Sequence, residues 1–65
     1  MGGTFDRELR RLLLNAGCTC LRPAKGSHEL WHSPIMGRAF TVPQGVVSRH
    51  TANAVLKQAG LPKAF

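Results

Sequence analysis

The chain has 65 residues, enough for one small domain, predicted here over residues 1–65, with a single hydrophobic core. Nine Lys and Arg side chains face three acids, so the net charge of +6 predicts a polyanionic partner: nucleic acid, an acidic protein or an anionic membrane surface. Because Asp6, Glu8 and Glu29 are the only acids, carboxylate-built metal sites and paired-carboxylate hydrolases are strongly disfavoured.

The first predicted element is an amphipathic helix that follows Thr4. Thr4 is the candidate N-cap, and Asp6 and Glu8 lie in the first turns, where the helix dipole favours acids. Gly17 supplies a residue that can end the helix in the left-handed conformation. The apolar positions share one stripe of the helix: Phe5, Leu9, Leu12, Leu13 and Ala16.

Three short strands are predicted next, separated by segments rich in Pro and Gly. They span residues 18–22, 27–32 and 38–42, and the short connections favour an antiparallel meander. Cys18 and Cys20 fall in the first strand, where two residues of separation is near the far limit for a disulfide and the side chains run parallel. We expect two free thiols in a reducing, cytoplasmic environment.

A second helix is predicted over residues 48–59. Ser48 is its candidate N-cap, Val47 is placed to pack back onto Ala52, and Gly60 is its candidate terminator. The element order is α-β-β-β-α. The predicted fold class is therefore α+β, a three-stranded antiparallel sheet with both helices on one face.

The second strand decides which side chains face the helices. Trp31 is its largest apolar side chain and is expected to point inward. The two-residue period of a strand then places Glu29 on the inner side, and His28 and His32 on the open face together with Leu30.

The loop before this strand carries the candidate chemistry. Backbone N–H groups around Gly26, with Lys25 nearby and the Ser27 hydroxyl, can hold a phosphate, and the His28 imidazole can transfer protons near neutral pH. His28 and His32 are not predicted to bind zinc, because four strand residues span about 13 Å. No metal ligand set and no cofactor motif is found, and no segment is long and apolar enough to cross a membrane.

The order and spacing of several short motifs resemble the HicA family of mRNA interferase toxins. The resemblance covers about residues 5–61 and rests on Gly26-Ser27-His28, the aromatic Trp31, His32-x-Pro34, Gly37-Arg38-x-Phe40-Thr41-Val42-Pro43 and Leu56-Lys57-Gln58-Ala59-Gly60-Leu61. It implies a double-stranded-RNA-binding-domain-like fold, a small cytoplasmic ribonuclease that acts on mRNA, and a HicB-type antitoxin as partner. It also implies that His28 is the catalytic residue. Family members often carry a second histidine where this chain has Glu29.

Metal-independent cleavage is the mechanism expected from these residues. RNA supplies its own nucleophile, the 2′-OH, and His28 would deprotonate it or protonate the leaving oxygen. Basic groups from Arg22, Lys25 or Arg38 would offset the developing phosphorane charge. Phosphate contacts are predicted for these three cations and for Gly26, Ser27 and His32, and the second proton-transfer group remains open.

Other functions remain possible at this point. The same fold could bind RNA without cleaving it, with His28 only contacting phosphate, or its basic face could meet an acidic protein, which for a toxin includes its antitoxin. A helix-turn-helix DNA-binding protein is disfavoured, because a full strand meander separates the two helices.

Overall fold

The computed structural model describes residues 4–65, so residues 1–3 of the predicted domain lie outside it. Its elements are α1 (Asp6–Asn15), β1 (Thr19–Pro23), β2 (His28–Ser33), β3 (Arg38–Pro43) and α2 (Arg49–Gln58). The strands form one antiparallel sheet in the order β1-β2-β3. The predicted α+β fold class, element order and meander are thereby confirmed.

The core lies between the sheet and the two helices. Trp31 is 1% exposed at its centre, so the inward direction predicted for this side chain is correct. Both helices contribute the apolar stripes that the sequence indicates, and β3 adds alternate residues. The buried apolar side chains are Leu9, Leu13, Cys18, Trp31, Phe40, Val42, Val46, Ala52, Val55, Leu56 and Ala59.

Both helices end in the same way. Gly17 and Gly60 adopt φ values of +91° and +85°, where L side chains are disfavoured. The next residue in each case donates its N–H to the carbonyl five positions back: Cys18 to Leu13 at 3.0 Å, and Leu61 to Leu56 at 2.8 Å. This pair of Schellman motifs explains the repeated Ala-Gly endings of the sequence.

The β2–β3 turn packs against both of these helix ends. A Cβ atom added at Gly17 would lie 3.3 Å from Pro34, and one added at Gly60 would lie 2.7 Å from Ile35. The hydroxyl of Ser33, which is fully buried, donates to the Ala59 carbonyl at the end of α2 at 2.7 Å. We call this part of the sheet, where Ser33 pairs with Arg38, the hairpin end.

Three local predictions were wrong. The N-cap of α1 is Phe5, not Thr4, and Phe5 makes no side-chain cap bond. A tertiary contact holds this helix start instead, because the Phe5 N–H donates to the Val46 carbonyl at 2.8 Å. Val47 is 72% exposed rather than packed back onto Ala52, since Val46 enters the core in its place.

The third correction concerns the first strand. β1 begins at Thr19 because the N–H of Cys18 is used in ending α1. Cys18 is buried, Cys20 is exposed, and both are free thiols. In contrast, the predicted cap of α2 is correct, since the Ser48 side chain accepts the His50 N–H at 3.2 Å.

Candidate functional site

His28 is the first residue of β2 and lies exposed on the open face of the sheet. Two-residue alternation from the buried Trp31 and Ser33 turns His28, Leu30 and His32 away from the helices. His28 pairs with Pro43 of β3, and we call this part of the sheet the histidine end. An imidazole here is accessible to a large substrate without any movement of the core.

A tight loop before β2 fixes the backbone around His28. The His28 carbonyl accepts the Ala24 N–H at 2.9 Å, and the His28 N–H points to the Lys25 carbonyl at 3.4 Å. Gly26 has φ +68°, which suits the mirror-image turns that join antiparallel strands. The side chains of Lys25 and Ser27 are exposed beside the histidine, so the structure brings the predicted Lys25–His28 segment together at one place.

Arg22 reaches the same face because β1 is irregular. The register pairs Thr19 with His32 and Arg22 with Leu30, with a shift between Cys20 and Arg22 that leaves Leu21 as an extra residue. Strict alternation along β1 would put Thr19 and Arg22 on opposite faces, whereas the bulge places both on the open face. Arg22 is then a diagonal neighbour of His28, at about 7–8 Å, within reach of a shared phosphate.

Two of the predicted phosphate contacts lie away from His28. His32 is on the open face but four residues along β2, about 13 Å from His28. Arg38 pairs with Ser33 at the hairpin end, about 16 Å along the strands from the His28–Pro43 pair. Because paired residues lie on the same face, Arg38 belongs with Ser33 to the inner face of the sheet. Direct action of Arg38 or His32 on a phosphate held at His28 is therefore not supported by this geometry.

The three carboxylates are all engaged on the helical side of the sheet. Asp6 accepts the Gly45 and Val46 N–H groups at 2.7 and 2.8 Å. Glu8 pairs with Arg11 on the surface of α1, where hydrogen bonding from the guanidinium lowers the pKa of Glu8. Glu29 turns inward and pairs with Arg10.

Arg22 and Lys25 are left without ion-pair partners within residues 4–65, because the ion pairs found there are Arg10–Glu29 and Arg11–Glu8. The open face near His28 is thus cationic. Such a surface attracts phosphate groups and offers no competing carboxylate.

Directly beneath the His28 strand lies a cluster that sequence reasoning missed. Arg10 Nη1 lies 2.6 Å from Glu29 Oε1, and the Arg10 Cζ atom is 5.5 Å from the centre of the Trp31 ring. The Trp31 Nε1–H donates to the same Glu29 oxygen at 3.2 Å. This indole bond, followed by the Arg10 guanidinium, holds the pKa of Glu29 below its usual range. The sequence indicates that Glu29 faces inward, which calls for a partner in the core. It does not indicate that Arg10 is this partner, because the pairing depends on how α1 crosses β2.

Two hollows of about 310 and 320 Å³ lie on the helical side, lined by residues of the two helices and by the segment 61–64. Within residues 4–65, no three His, Cys, Asp or Glu side chains are placed to share a metal ion. None of the helices described is long and apolar enough to span a membrane.

Comparison with known proteins identifies the family. A model of the HicA toxin of bacterial toxin–antitoxin systems matches residues 7–61, which is most of the chain. The chain belongs to the HicA toxin family. No curated protein and no solved structure matches it. A HicA toxin is the toxin of a toxin–antitoxin system, so an antitoxin is its partner. The family resemblance predicted from the Gly26-Ser27-His28 and Leu56–Leu61 motifs is confirmed.

Proposed function

We propose that this HicA toxin is a cytoplasmic endoribonuclease that cleaves mRNA by metal-independent transesterification, with His28 as its proton-transfer group. The observation that carries the proposal is the placement of an exposed imidazole near Arg22 and Lys25 on a face whose nearest carboxylate, Glu29, points the other way. That arrangement suits an anionic substrate that brings its own nucleophile, which RNA does and DNA does not.

The reaction forms one bond and breaks another at the same phosphorus. The 2′-oxygen attacks the adjacent phosphate as its proton leaves, and the bond from phosphorus to the 5′-oxygen of the next nucleotide breaks. The products are a 2′,3′-cyclic phosphate and a 5′-hydroxyl, which takes up one proton. His28 either accepts the first proton or supplies the second, a role worth about 10²–10⁴-fold in rate. Water or a second group of the complex completes the transfer.

Charge on the phosphorane is met by the residues around His28. Arg22 lies on the diagonal position and Lys25 in the adjoining loop, so both can approach a phosphate oxygen. The Gly26 backbone and the Ser27 hydroxyl can donate further hydrogen bonds. Arg38 and His32, which lie farther along the strands, fit neighbouring phosphates of the same RNA strand rather than the reacting one.

The decisive experiment is cleavage of a defined RNA, labelled at its 5′ end, by the purified protein and by His28→Ala. We expect cleavage by the wild type in EDTA, cyclic-phosphate ends, and loss of at least 10²-fold in rate for the variant. His50→Ala is the matched control, because His50 is also an exposed histidine but lies in α2, on the helical side. Folding of each variant is checked by circular dichroism.

Each other outcome contradicts a stated part of the proposal. Intact RNA with the wild type would favour the alternative, a non-catalytic RNA-binding module of the same fold. Activity lost in EDTA and restored by magnesium would refute metal independence. Equal cleavage by wild type and His28→Ala would remove His28 from the reaction.

A HicB-type antitoxin is the proposed partner, and the cationic face around His28 is the surface that its neutralising contact would mask. Growth arrest on expression of the toxin should then be relieved by co-expression of the adjacent antitoxin gene. The His28→Ala variant should not arrest growth. Arrest by His28→Ala at wild-type strength would show that toxicity does not depend on cleavage.

A further inference from the structure

We propose that the ion pair between Arg10 and Glu29 is a positioning device for His28, so that Glu29 acts in cleavage without touching RNA. The inference rests on the proposed ribonuclease activity. It goes beyond that activity by assigning a role to a residue on the inner face of the sheet. Glu29 follows His28 directly in β2, and the two side chains point to opposite faces.

The first support is the quality of the pair. The two Arg10 Nη atoms face the Glu29 carboxylate oxygens, at 2.6 and 3.5 Å, and the Arg10 and Glu29 side chains are 42% and 15% exposed. Forked contacts of this type fix the orientation of both partners. Trp31 adds a hydrogen bond to the same carboxylate, so Glu29 is held between α1 and the centre of the core.

The second support is that α1 also holds the chain on the other side of His28. Asp6 lies one turn before Arg10 and accepts the N–H groups of Gly45 and Val46, just after the end of β3. The neighbouring Gln44 N–H donates to the Ser27 carbonyl at 3.0 Å. The first two turns of α1 therefore fasten both segments that flank His28.

The third support is that the edge strand and the loop beside His28 are exposed and add little packing against the core. β1 is exposed along its whole length, and Lys25, Gly26 and Ser27 are exposed as well. The bond from the His28 N–H to the Lys25 carbonyl is long, at 3.4 Å. Without the Arg10–Glu29 pair, no ion pair would tie the start of β2 to α1, and its position would depend on main-chain bonds and the Trp31 hydrogen bond. A displacement of 1 Å at a reacting group lowers the rate by about 10²-fold.

The test compares Glu29→Gln and Arg10→Gln, and their double variant, with Glu8→Gln and Arg11→Gln. Glu29→Gln keeps an acceptor for the Trp31 indole and removes only the charge. Glu8 and Arg11 are the matched control, because they form an ion pair on the same helix but on its exposed surface. We expect Glu29→Gln to lower kcat by about 10-fold or more with little change in KM. Arg10→Gln should give a similar loss, the double variant no further loss, and the control variants none.

A second measurement does not depend on cleavage. Amide hydrogen exchange at Ala24 and Gln44, which donate to the His28 and Ser27 carbonyls, should accelerate in Glu29→Gln and stay unchanged in Glu8→Gln. Failure of the wild type to cleave RNA would refute the proposed function, whereas unchanged exchange in Glu29→Gln would refute the positioning role. A change in KM alone, or additive losses in the double variant, would also overturn it.

Discussion

Ser33→Ala should destabilise this domain more than the loss of one hydroxyl suggests. Ser33 is 0% exposed, and its oxygen both donates to the Ala59 carbonyl at 2.7 Å and accepts the Met36 N–H at 3.2 Å. Alanine removes both bonds at once. It deprives a carbonyl at the end of α2 and an N–H in the β2–β3 turn of their partner.

The expected loss is a large share of the total stability. A buried group left without its partner costs about 1–3 kcal/mol. A domain of this size has about 3–10 kcal/mol in all, at roughly 0.05–0.15 kcal/mol per residue. A loss of about 2 kcal/mol would lower Tm by about 8–16 °C, since domains this small shift by about 4–8 °C per kcal/mol.

Urea unfolding followed by Trp31 fluorescence measures the effect, with Ser27→Ala as the control. Ser27 is exposed, and its replacement should change the free energy of unfolding by less than about 0.5 kcal/mol. Amide hydrogen exchange adds a local measurement. In Ser33→Ala, the protection of the Met36 N–H should fall more than that of the Gly37 N–H, because the Gly37 N–H donates to the Ser33 carbonyl, which the variant keeps. Equal stabilities of the two serine variants would refute the role assigned to the buried hydroxyl.

Two further predictions concern charge. If Lys25 contacts an RNA phosphate, Lys25→Gln should reduce the slope of log affinity against log salt concentration by about 0.7, as measured by fluorescence anisotropy with a labelled 2′-O-methyl RNA that cannot be cleaved. Lys63→Gln, on the helical side, is the control and should leave the slope unchanged. Equal effects of the two variants would argue against an RNA interface at the histidine end. The Glu29 carboxylate has a lowered pKa in the folded state. Glu29 therefore stabilises the fold at pH values above 4.5, its ordinary pKa, and this stabilisation is lost as the pH falls from 4.5 through the lower pKa of the folded state. The stability difference between wild type and Glu29→Gln in urea unfolding should therefore be full near pH 7 and shrink below pH 4.5, and a difference that stays constant down to pH 2 would contradict this assignment.

Much of the fold follows from local pattern. The apolar stripes of α1 and α2, and the Ala-Gly endings at Gly17 and Gly60, each predict an element and its end without knowledge of the rest. The open position of His28 follows from one assumption, that Trp31 points inward, because a strand alternates strictly between its faces.

The features that could not be predicted depend on contacts between distant segments. The start of α1 is held by the β3–α2 connection rather than by Thr4, and no local rule contains that contact. The bulge at Leu21 reverses the face on which Arg22 lies, and nothing in residues 18–22 marks it. The pairing of Arg10 with Glu29 needs the crossing of α1 over β2, which is set by the packing of the whole core.

The placement of both helix C-termini against the hairpin end divides the molecule into two regions that evolution can treat differently. Gly17, Gly60 and Ser33 are constrained at that end by backbone conformation, close packing and burial, so substitutions there threaten folding. The loop before His28 carries exposed side chains and open space around Gly26. Apart from Gly26, whose φ of +68° disfavours other residues, the positions of this loop can change with little loss of stability. The RNA contacts proposed for this loop can therefore diversify while the residues that determine the fold stay the same.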